Sequence, residues 1–501
     1  MQSKLKCNLL VWQMLCERMA MYSWVAALAL AGGSSALDPL VALTKQGAVR
    51  GAPAAANVTE FLGVPFAAPP LRFADAAAAA PWNGTRASAP PAECAQASGG
   101  SEDCLYVNAY STMVPGRPVM VYVHGGGFVS GAATRSAANL TRLTGSVVFA
   151  PQYRLGVLGF FGGDNRGLGD QLRALAWVRD NCAAFGGDPA RVMVFGVSAG
   201  GASVAHLLVE PRAAGLFSAA ALESPGGHQG WMAPGARPDD DFAAPAVVAN
   251  ASAAAAAALG CAVDDLACLR AAPLAALLAA AKGARFAPSL KRARPADDRS
   301  ADGVETPLGL IRAGAWTRVP VIVGGQSCES CGAAEAAFGP ERDVSSDEYA
   351  SALARHFAGA AVDAAAIASR YAGRAAREGR WRAFARILSD SGHACSSQLH
   401  ARALAATTTF AYYFSEPGAS AHGQDESYLL DAGRGDDALA VDMASWWARL
   451  GAAGAPVDWW PPFLAPGDRV MGLHEAPALV ANDDTHRPEC DDFWAPWLGF
   501  Y

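Results

Sequence analysis

The stretch "VMVFGVSAGGASVAHLL" (residues 192–208) places a serine between two glycines, after an apolar run and before a helix-like pattern. Residues 192–195 predict a strand that is buried on both faces, and residues 199–208 predict a helix that ends before Pro211. A serine at such a sharp turn lifts its hydroxyl above the sheet, and glycines flank it where a Cβ would not fit. The stretch therefore predicts a nucleophile elbow, G-x-S-x-G, with Ser198 as the nucleophile. A glycine-rich turn without chemistry is the alternative.

Composition places the chain among globular proteins and argues against one class of partner. Of its 501 residues, 52% are hydrophobic and 17% are charged, which is typical of a folded chain with a large core. Length alone predicts about three domains. The formal net charge of −7 disfavours a surface that binds nucleic acid.

The amino terminus has the pattern of a secretory signal. A basic region (residues 4–18) precedes the apolar run "WVAALALAGG" (residues 24–33), and Ser34 and Ala36 are small residues at the −3 and −1 positions of a cleavage site. We therefore expect a signal peptide over residues 1–36 and a protein that is secreted. Because the basic region is long for a signal, Met19 and Met21 are alternative starts.

No stretch of the sequence predicts a stable membrane anchor. The ten apolar residues of the leader are too few for a bilayer, which needs about 20. The final segment "FWAPWLGFY" is too short for a lipid-anchor signal.

Sequons and cysteines fit an oxidising, extracellular compartment. Four sequons predict glycosylation at Asn57, Asn83, Asn139 and Asn250. Two of the eleven cysteines, Cys7 and Cys16, belong to the leader. An odd number remains, so at least one thiol is free or pairs between chains.

A glycine-rich loop follows a second predicted strand. In "PVMVYVHGGGF", residues 119–123 predict a buried strand, and His124 and three glycines come directly after it. Such a loop turns backbone N–H groups toward a bound carbonyl, so Gly126, Gly127 and the N–H of Ala199 are the expected oxyanion donors. A phosphate-binding loop is disfavoured, because no Walker lysine follows and no G-x-G-x-x-G opens a helix.

A serine nucleophile needs a base and a group that orients the base. Residues 319–323 predict a strand that is followed by Glu329, and residues 407–414 predict another that is followed by His422. The order Ser198, Glu329, His422 is that of α/β hydrolases and differs from that of chymotrypsin or subtilisin.

The chain has nine histidines, and His422 is preferred as the base. His206 is interpreted as a packing residue and His124 as a structural one. The remaining six lack a comparable strand-then-glycine setting: His228, His356, His393, His400, His474 and His486.

Many motifs in one order resemble the type-B carboxylesterase and cholinesterase family of α/β hydrolases. They are "FLGVPFAAPPLRF", "SEDCLYVN", "HGGGF", "YRLGVLGF", "GLGDQLRALAWVRDNCAAFGGDP", "FGVSAGG" and "AHGQDESYLL", with "WWPPF" and "ECDDFW" in the tail. The first of them lacks two residues before Leu71 relative to the family.

The resemblance implies a single catalytic domain over residues 37–501 in place of three domains. It implies a central, mostly parallel sheet flanked by helices, with large insertions. It also implies the triad Ser198, Glu329 and His422 and the three oxyanion donors named above. Further implications are the disulfides Cys94–Cys104, Cys261–Cys268 and Cys395–Cys490, and the structural ion pairs Arg72–Glu102 and Arg154–Asp170. No metal or organic cofactor is implied.

Three departures from the family concern the site. Val197 precedes the nucleophile where the family commonly has an acid. The loop between Cys94 and Cys104 holds only "AQASGGSED" and lacks the tryptophan that stacks on choline in cholinesterases. Cys328 and Cys331 bracket Glu329, which favours a local disulfide or two buried thiols over a redox or metal site.

The sequence thus predicts a serine carboxylesterase that acts on small, uncharged esters. The main rival is a non-catalytic adhesion or binding protein on the same fold, and the second is a lipase acting on aggregated lipid. The residues leave the oligomeric state and the physiological ester open.

Overall fold

The structure is a computed structural model of the chain. It describes residues 38, 40–226, 245–289, 306–358, 362–405, 408–415, 421–430, 437–463, 469–474, 476–481 and 489–494. The proposed signal peptide lies outside these residues. The chain divides into two units, residues 1–41 and residues 42–501. The elements described below belong almost entirely to the second unit.

Strands and helices alternate along most of the chain. The strands are β1 (Val41–Leu43), β2 (Ala48–Arg50), β3 (Ala52–Ala55), β4 (Val58–Pro65), β5 (Thr85–Ala87), β6 (Tyr106–Ser111), β7 (Arg117–Val123), β8 (Val147–Pro151), β9 (Gly187–Val197), β10 (Ala219–Glu223), β11 (Val321–Gln326), β12 (Thr409–Phe414), β13 (Arg469–Leu473) and β14 (Ala478–Ala481). The helices are α1 (Ala138–Thr144), α2 (Gly156–Phe160), α3 (Arg166–Asn181), α4 (Ala199–Val209), α5 (Pro245–Ala258), α6 (Leu266–Ala271), α7 (Leu274–Ala280), α8 (Pro307–Arg312), α9 (Cys331–Phe338), α10 (Ser346–His356), α11 (Ala364–Arg370), α12 (Ala372–Glu378), α13 (Arg380–Ser389), α14 (Cys395–Leu404), α15 (Gln424–Leu430) and α16 (Ala438–Ala453). A π-helical turn, Asp390–Ala394, joins α13 to α14.

One large sheet organises the molecule, in the order β14-β13-β12-β11-β10-β9-β7-β8-β6-β4-β3. The run from β13 to β8 is parallel. Antiparallel pairs extend it at both edges. A separate small sheet contains the parallel pair of β2 and β5.

Alternation along the central strands divides the core between the two faces of the sheet. Val192 and Val194 of β9 join the cluster that includes α3 and α4, whereas Met193 and Phe195 join the cluster that includes α1 and α16. Because successive side chains point to opposite faces, a strand covered by helices on both sides is apolar throughout. This arrangement confirms the predicted α/β-hydrolase class.

The strand register brings several carboxyl ends to one edge of the sheet. Val197, the last residue of β9, lies opposite Glu223, the last residue of β10, and Glu223 lies opposite Gly324 of β11. Open parallel sheets bind ligands at this edge. The residues that follow these strands are therefore neighbours.

Two boundaries differ from the sequence expectation. Strand β9 begins at Gly187, because that residue pairs with Arg117 of β7 ahead of the apolar run. Strand β11 continues past Val323 to Gln326 through two glycines. At Gly324 an added Cβ would lie 2.3 Å from the Tyr412 carbonyl oxygen. A glycine is therefore needed where β11 pairs closely with β12, although the predicted strand ends one residue earlier.

A third group of buried apolar residues lies among helices α9 to α14. The Cys395–Cys490 disulfide joins the start of α14 to the tail of the chain within this cluster. Within the described part of the chain, no helix is both long enough and apolar enough to cross a bilayer.

Candidate active site

Ser198 occupies a strained turn between β9 and α4. Its φ of 59° and ψ of −124° are unusual for a residue with a side chain, and its N–H donates a 2.9 Å hydrogen bond to the Glu223 carbonyl. A Cβ added to Gly196 would lie 2.4 Å from the Val123 carbonyl oxygen, and one added to Gly200 would lie 2.0 Å from the same atom. Both glycines are therefore required by the close crossing of β7, β9 and α4.

Glu329 is a buried carboxylate held by three hydrogen bonds. The Ser224 hydroxyl and the Gln326 N–H each donate to Oε1 at 2.7 Å. The Nδ1 of His422 lies 2.6 Å from Oε2. Burial alone would raise the pKa of Glu329, but the hydrogen bond and the charge of His422 outweigh it and lower this pKa to about 2. Glu329 is thus a fixed negative charge.

His422 follows β12 and precedes α15, and 31% of its side chain is exposed. Burial lowers its pKa, but the hydrogen bond to Glu329 and the negative charge of Glu329 outweigh this effect, so the net shift is upward. Because a carboxylate only accepts hydrogen bonds, Nδ1 carries the proton in this pair. Nε2 is therefore the nitrogen that can accept a proton from a nucleophile.

The loop after β7 lies directly against the elbow. A Cβ added to Gly125 would lie 3.2 Å from the Ser198 Cβ. Gly126 and Gly127 have φ values of 113° and 61°, which favour glycine. Ala199 is the first residue of α4, so its N–H belongs to the turn that has no partner within the helix. Gly126, Gly127 and Ala199 thus belong to the two segments, the loop after β7 and the start of α4, that meet at Ser198.

His124 supports that loop from beneath. It is buried, it stacks on Tyr153 with ring centroids 4.3 Å apart, and its Nδ1 lies 2.9 Å from the Gly125 carbonyl oxygen. The Tyr153 hydroxyl donates to the His124 carbonyl at 2.9 Å. Burial lowers the pKa of His124 to about 4, so a neutral ring orders the loop at neutral pH.

Ser198 and His422 lie at one edge of the sheet but are not hydrogen-bonded to each other in this structure. A Cβ added to Gly423 would lie 3.9 Å from a Val197 methyl group, so the loop carrying His422 lies against the elbow. Catalytic hydrogen bonds are often long in unliganded enzymes and shorten when substrate binds.

Three further acidic side chains lie near His422 and Glu329. Glu223 accepts a 2.7 Å hydrogen bond from Trp447, Asp425 accepts one of 2.5 Å from Tyr412, and Glu426 accepts from Tyr122. Burial raises the pKa of each of the three carboxyl groups. A raised pKa favours the neutral form, so these groups carry less negative charge than their number suggests.

Four disulfides are present among the described residues: Cys94–Cys104, Cys261–Cys268, Cys328–Cys331 and Cys395–Cys490. The free cysteine in this part of the chain is Cys182, which is buried.

The two ion pairs implied by the family resemblance are also formed. Arg154 and Asp170 are buried and pair at 2.7 Å, and Arg72 pairs with Glu102 at 2.5 Å.

The sequons differ in their exposure. Asn57, Asn83 and Asn250 are exposed. Asn139 is only 5% exposed, and its side-chain oxygen accepts hydrogen bonds from Arg142. Burial of this amide disfavours a glycan at Asn139, and glycosylation at the four sequons stays a prediction.

Sequence reasoning missed Ser224 and His393. Ser224 follows β10 directly, and its place after a buried strand was an available signal. His393 lies in the π-helical turn, with its ring centroid 4.3 Å from that of His422. No sequence signal could have found His393, because this contact depends on how α13 and α14 pack against the sheet.

The fold and the site together define an α/β hydrolase with a serine at the elbow. Residues 38–479 match the model of a family described as the carboxylesterase family. The chain belongs to the carboxylesterase family.

Curated relatives match a shorter part of the chain. Carboxylesterase 3 of Homo sapiens is 43% identical over 241 residues, which cover 40% of this chain and 42% of that protein. Acylcarnitine hydrolase of Mus musculus is 44% identical over 202 residues, 34% of this chain and 36% of that protein. Cocaine esterase of Oryctolagus cuniculus is 43% identical over 201 residues, 34% and 38% respectively. The matched segments thus span about two fifths of the relatives' own length.

Proposed function

We propose that the protein hydrolyses carboxylic esters with Ser198 as nucleophile, His422 as general base and acid, and Glu329 as the group that orients His422. The observation that carries this proposal is the 2.6 Å contact between Glu329 and His422 at the sheet edge where the strained Ser198 turn lies. Family membership supports it, because the named relatives include esterases.

The reaction has two halves. Ser198 Oγ attacks the acyl carbonyl while Nε2 of His422 takes its proton, and the N–H groups of Gly126, Gly127 and Ala199 stabilise the oxyanion. The intermediate collapses to an acyl-enzyme, and His422 gives the proton to the leaving alcohol. Water then attacks the acyl-enzyme with His422 again as base, which releases the acid and restores Ser198. These steps use no metal or organic cofactor.

The geometry supports this assignment of roles. Glu329 keeps its charge and stabilises the imidazolium that forms when His422 takes a proton. Because Nδ1 of His422 donates to Glu329, the ring is held in the tautomer whose Nε2 accepts a proton.

The test compares wild type with Ser198→Ala and His422→Ala on p-nitrophenyl butyrate. We expect each variant to lose roughly 10⁴- to 10⁶-fold in kcat while its melting temperature is kept. Ser218→Ala is the matched control, because Ser218 precedes β10 at the opposite edge of the sheet. There its hydroxyl donates a hydrogen bond to the Val192 carbonyl. A fluorophosphonate probe should label Ser198 in wild type, as read by peptide mass spectrometry.

Comparable turnover by wild type and Ser198→Ala would overturn the proposal. A folded wild type that neither turns over esters nor takes the label would favour the non-catalytic binding protein. Activity that rises sharply above the solubility limit of tributyrin would favour the lipase.

We further propose that residues 37–501 form a single catalytic domain that is secreted after removal of residues 1–36. Four disulfides in the described part of the chain support an oxidising compartment. Amino-terminal sequencing of the secreted protein should begin at Leu37, and an intact leader would contradict this.

A further inference from the structure

His393 is a second histidine beside the proposed base. Its ring lies at 42° to that of His422, with the centroids 4.3 Å apart. It is nine-tenths buried, and the mechanism gives it no role. It also belongs to the π-helical turn Asp390–Ala394, an irregularity that recurs at functional sites.

His393, His422 and Glu329 form a compact set of donors. Each can offer one ligand atom, and these atoms all lie within 4.8 Å of one another. The Nδ1 of His393 is buried and has no hydrogen-bond partner. Leaving a buried polar atom without a partner is costly, which marks this ring as able to gain from a ligand.

Two imidazoles and one carboxylate are a common donor set for zinc. Zinc bonds to nitrogen and oxygen are about 2.0–2.2 Å, so donors of one tetrahedron lie about 3.3 Å apart. Glu329 and His422 already meet at 2.6 Å and would have to separate slightly, while His393 would have to approach them. The movement required is on the order of 1 Å, since none of the donors begins more than 4.8 Å from the others.

We propose that Glu329, His393 and His422 form a site for one divalent transition-metal ion of the zinc class, and that its occupancy switches off ester hydrolysis. The inhibitory part rests on the proposed function. The metal here is an inhibitor and takes no part in the reaction.

The inhibition follows from the two nitrogens of His422. In the free protein Nδ1 carries the proton and Nε2 has a lone pair. A metal bound at Nδ1 needs that lone pair, so the Nδ1–H bond breaks, an Nδ1–metal bond forms, and the proton passes through solvent to Nε2. Nε2 is then a donor and can no longer take the proton of Ser198. The ion also removes Glu329 from its partnership with His422.

Metal binding can be measured without catalysis. Ser198→Ala protein is titrated with CoCl₂ and read by its visible absorption, then with ZnCl₂ by calorimetry. We expect one site per chain and cobalt bands of the intensity typical of four-coordinate sites. A second substitution in the Ser198→Ala protein, His393→Phe, keeps an aromatic ring but removes the ligand atom. It should weaken metal binding at least about tenfold. His400→Phe is the matched control, because His400 is an equally buried histidine on the following helix outside the cluster.

Inhibition is measured as the zinc concentration that halves the turnover of p-nitrophenyl butyrate, with each variant normalised to its own metal-free rate. We expect His393→Phe to raise this concentration at least about tenfold, His400→Phe to leave it unchanged, and a chelator to restore activity. Equal zinc sensitivity in wild type and His393→Phe would overturn the inference, as would the absence of a saturable cobalt site. A protein that binds cobalt at this site but has no esterase activity would refute the proposed function and leave the metal site standing.

Discussion

The Ser224 hydroxyl donates a 2.7 Å hydrogen bond to the Glu329 carboxylate across 105 residues of sequence. Ser224 follows β10 directly, and Glu329 follows β11 after a short turn. Because the two strands are parallel neighbours, their carboxyl ends meet and the pair is formed by the sheet register. The carboxylate is thus positioned before any substrate arrives.

Glu329 should be the acidic member of the triad. Glu329→Gln removes the charge and the acceptor that fixes the tautomer of His422, so we expect kcat to fall roughly 10³- to 10⁴-fold. Glu335→Gln is the matched control, because Glu335 is exposed on α9 six residues later. Both are measured by kcat and KM on p-nitrophenyl butyrate, and equal small losses in the two variants would refute the assignment.

Gly325 should matter for the same carboxylate. A Cβ there would lie 2.6 Å from Glu329 Oε1, so Gly325→Ala must displace the carboxylate or the strand. We expect kcat to fall about 10- to 100-fold, because an orientation error of about 1 Å has that effect.

The control for this substitution is Gly332→Ala in α9, where nothing lies within 4 Å of the added Cβ. It should keep full activity and gain as much as about 1 kcal/mol in stability, since alanine is the better helix former. Full activity in Gly325→Ala would show that Glu329 has freedom to move.

The Cys328–Cys331 disulfide should stiffen the loop that carries Glu329. The bridge encloses Glu329 and ends at the first residue of α9. We expect the double variant Cys328→Ser/Cys331→Ser to lose several-fold in kcat with a smaller change in KM. The reason is that only the positioning of His422 by Glu329 is affected.

Dithiothreitol, applied to the wild type and to the double variant, distinguishes the effect of this bridge from that of the other three disulfides. Mild reductant should lower wild-type activity toward that of the double variant and should change the variant little. Equal activity of the oxidised wild type and the double variant would show that the bridge has no effect on the site.

The substrate preference should be for uncharged esters. Val197 is 3% exposed and adjoins Ser198, and the loop from Cys94 to Cys104 has no aromatic residue to stack on a quaternary ammonium group. Such a stack contributes about 2 kcal/mol when the cation is desolvated, and each 1.4 kcal/mol is about tenfold in rate. We therefore expect 3,3-dimethylbutyl butyrate to have a kcat/KM at least equal to that of butyrylcholine.

A charge placed at residue 197 tests whether the missing carboxylate causes this preference. Val197→Glu should raise the ratio of kcat/KM for butyrylcholine to kcat/KM for its neutral isostere roughly tenfold. Val197→Gln, of similar shape without charge, should not change this ratio. A clear preference of the wild type for the cation would mean that an aromatic side chain elsewhere binds the ammonium group.

The sequence by itself was sufficient for the fold class and for the order of the proposed triad. Apolar runs that end in glycine, serine or histidine mark strands covered on both faces, and the glycines at 196 and 200 report a backbone crossing that a Cβ would block. These features are local, so periodicity and residue size reveal them. The family resemblance, and not the chain length, favours one domain over three, because length carries no information on topology.

Only the tertiary structure decided which side chains meet. The hydrogen bond from Ser224 to Glu329, the ring contact between His393 and His422 and the burial of Asn139 depend on strand order and on the packing of helices against the sheet. The predicted strand ends at residue 323, yet Gly324 and Gly325 continue it, and Tyr412 and Glu329 occupy the space of their missing side chains. Contacts between distant residues follow from the register of the sheet, and no local pattern encodes that register.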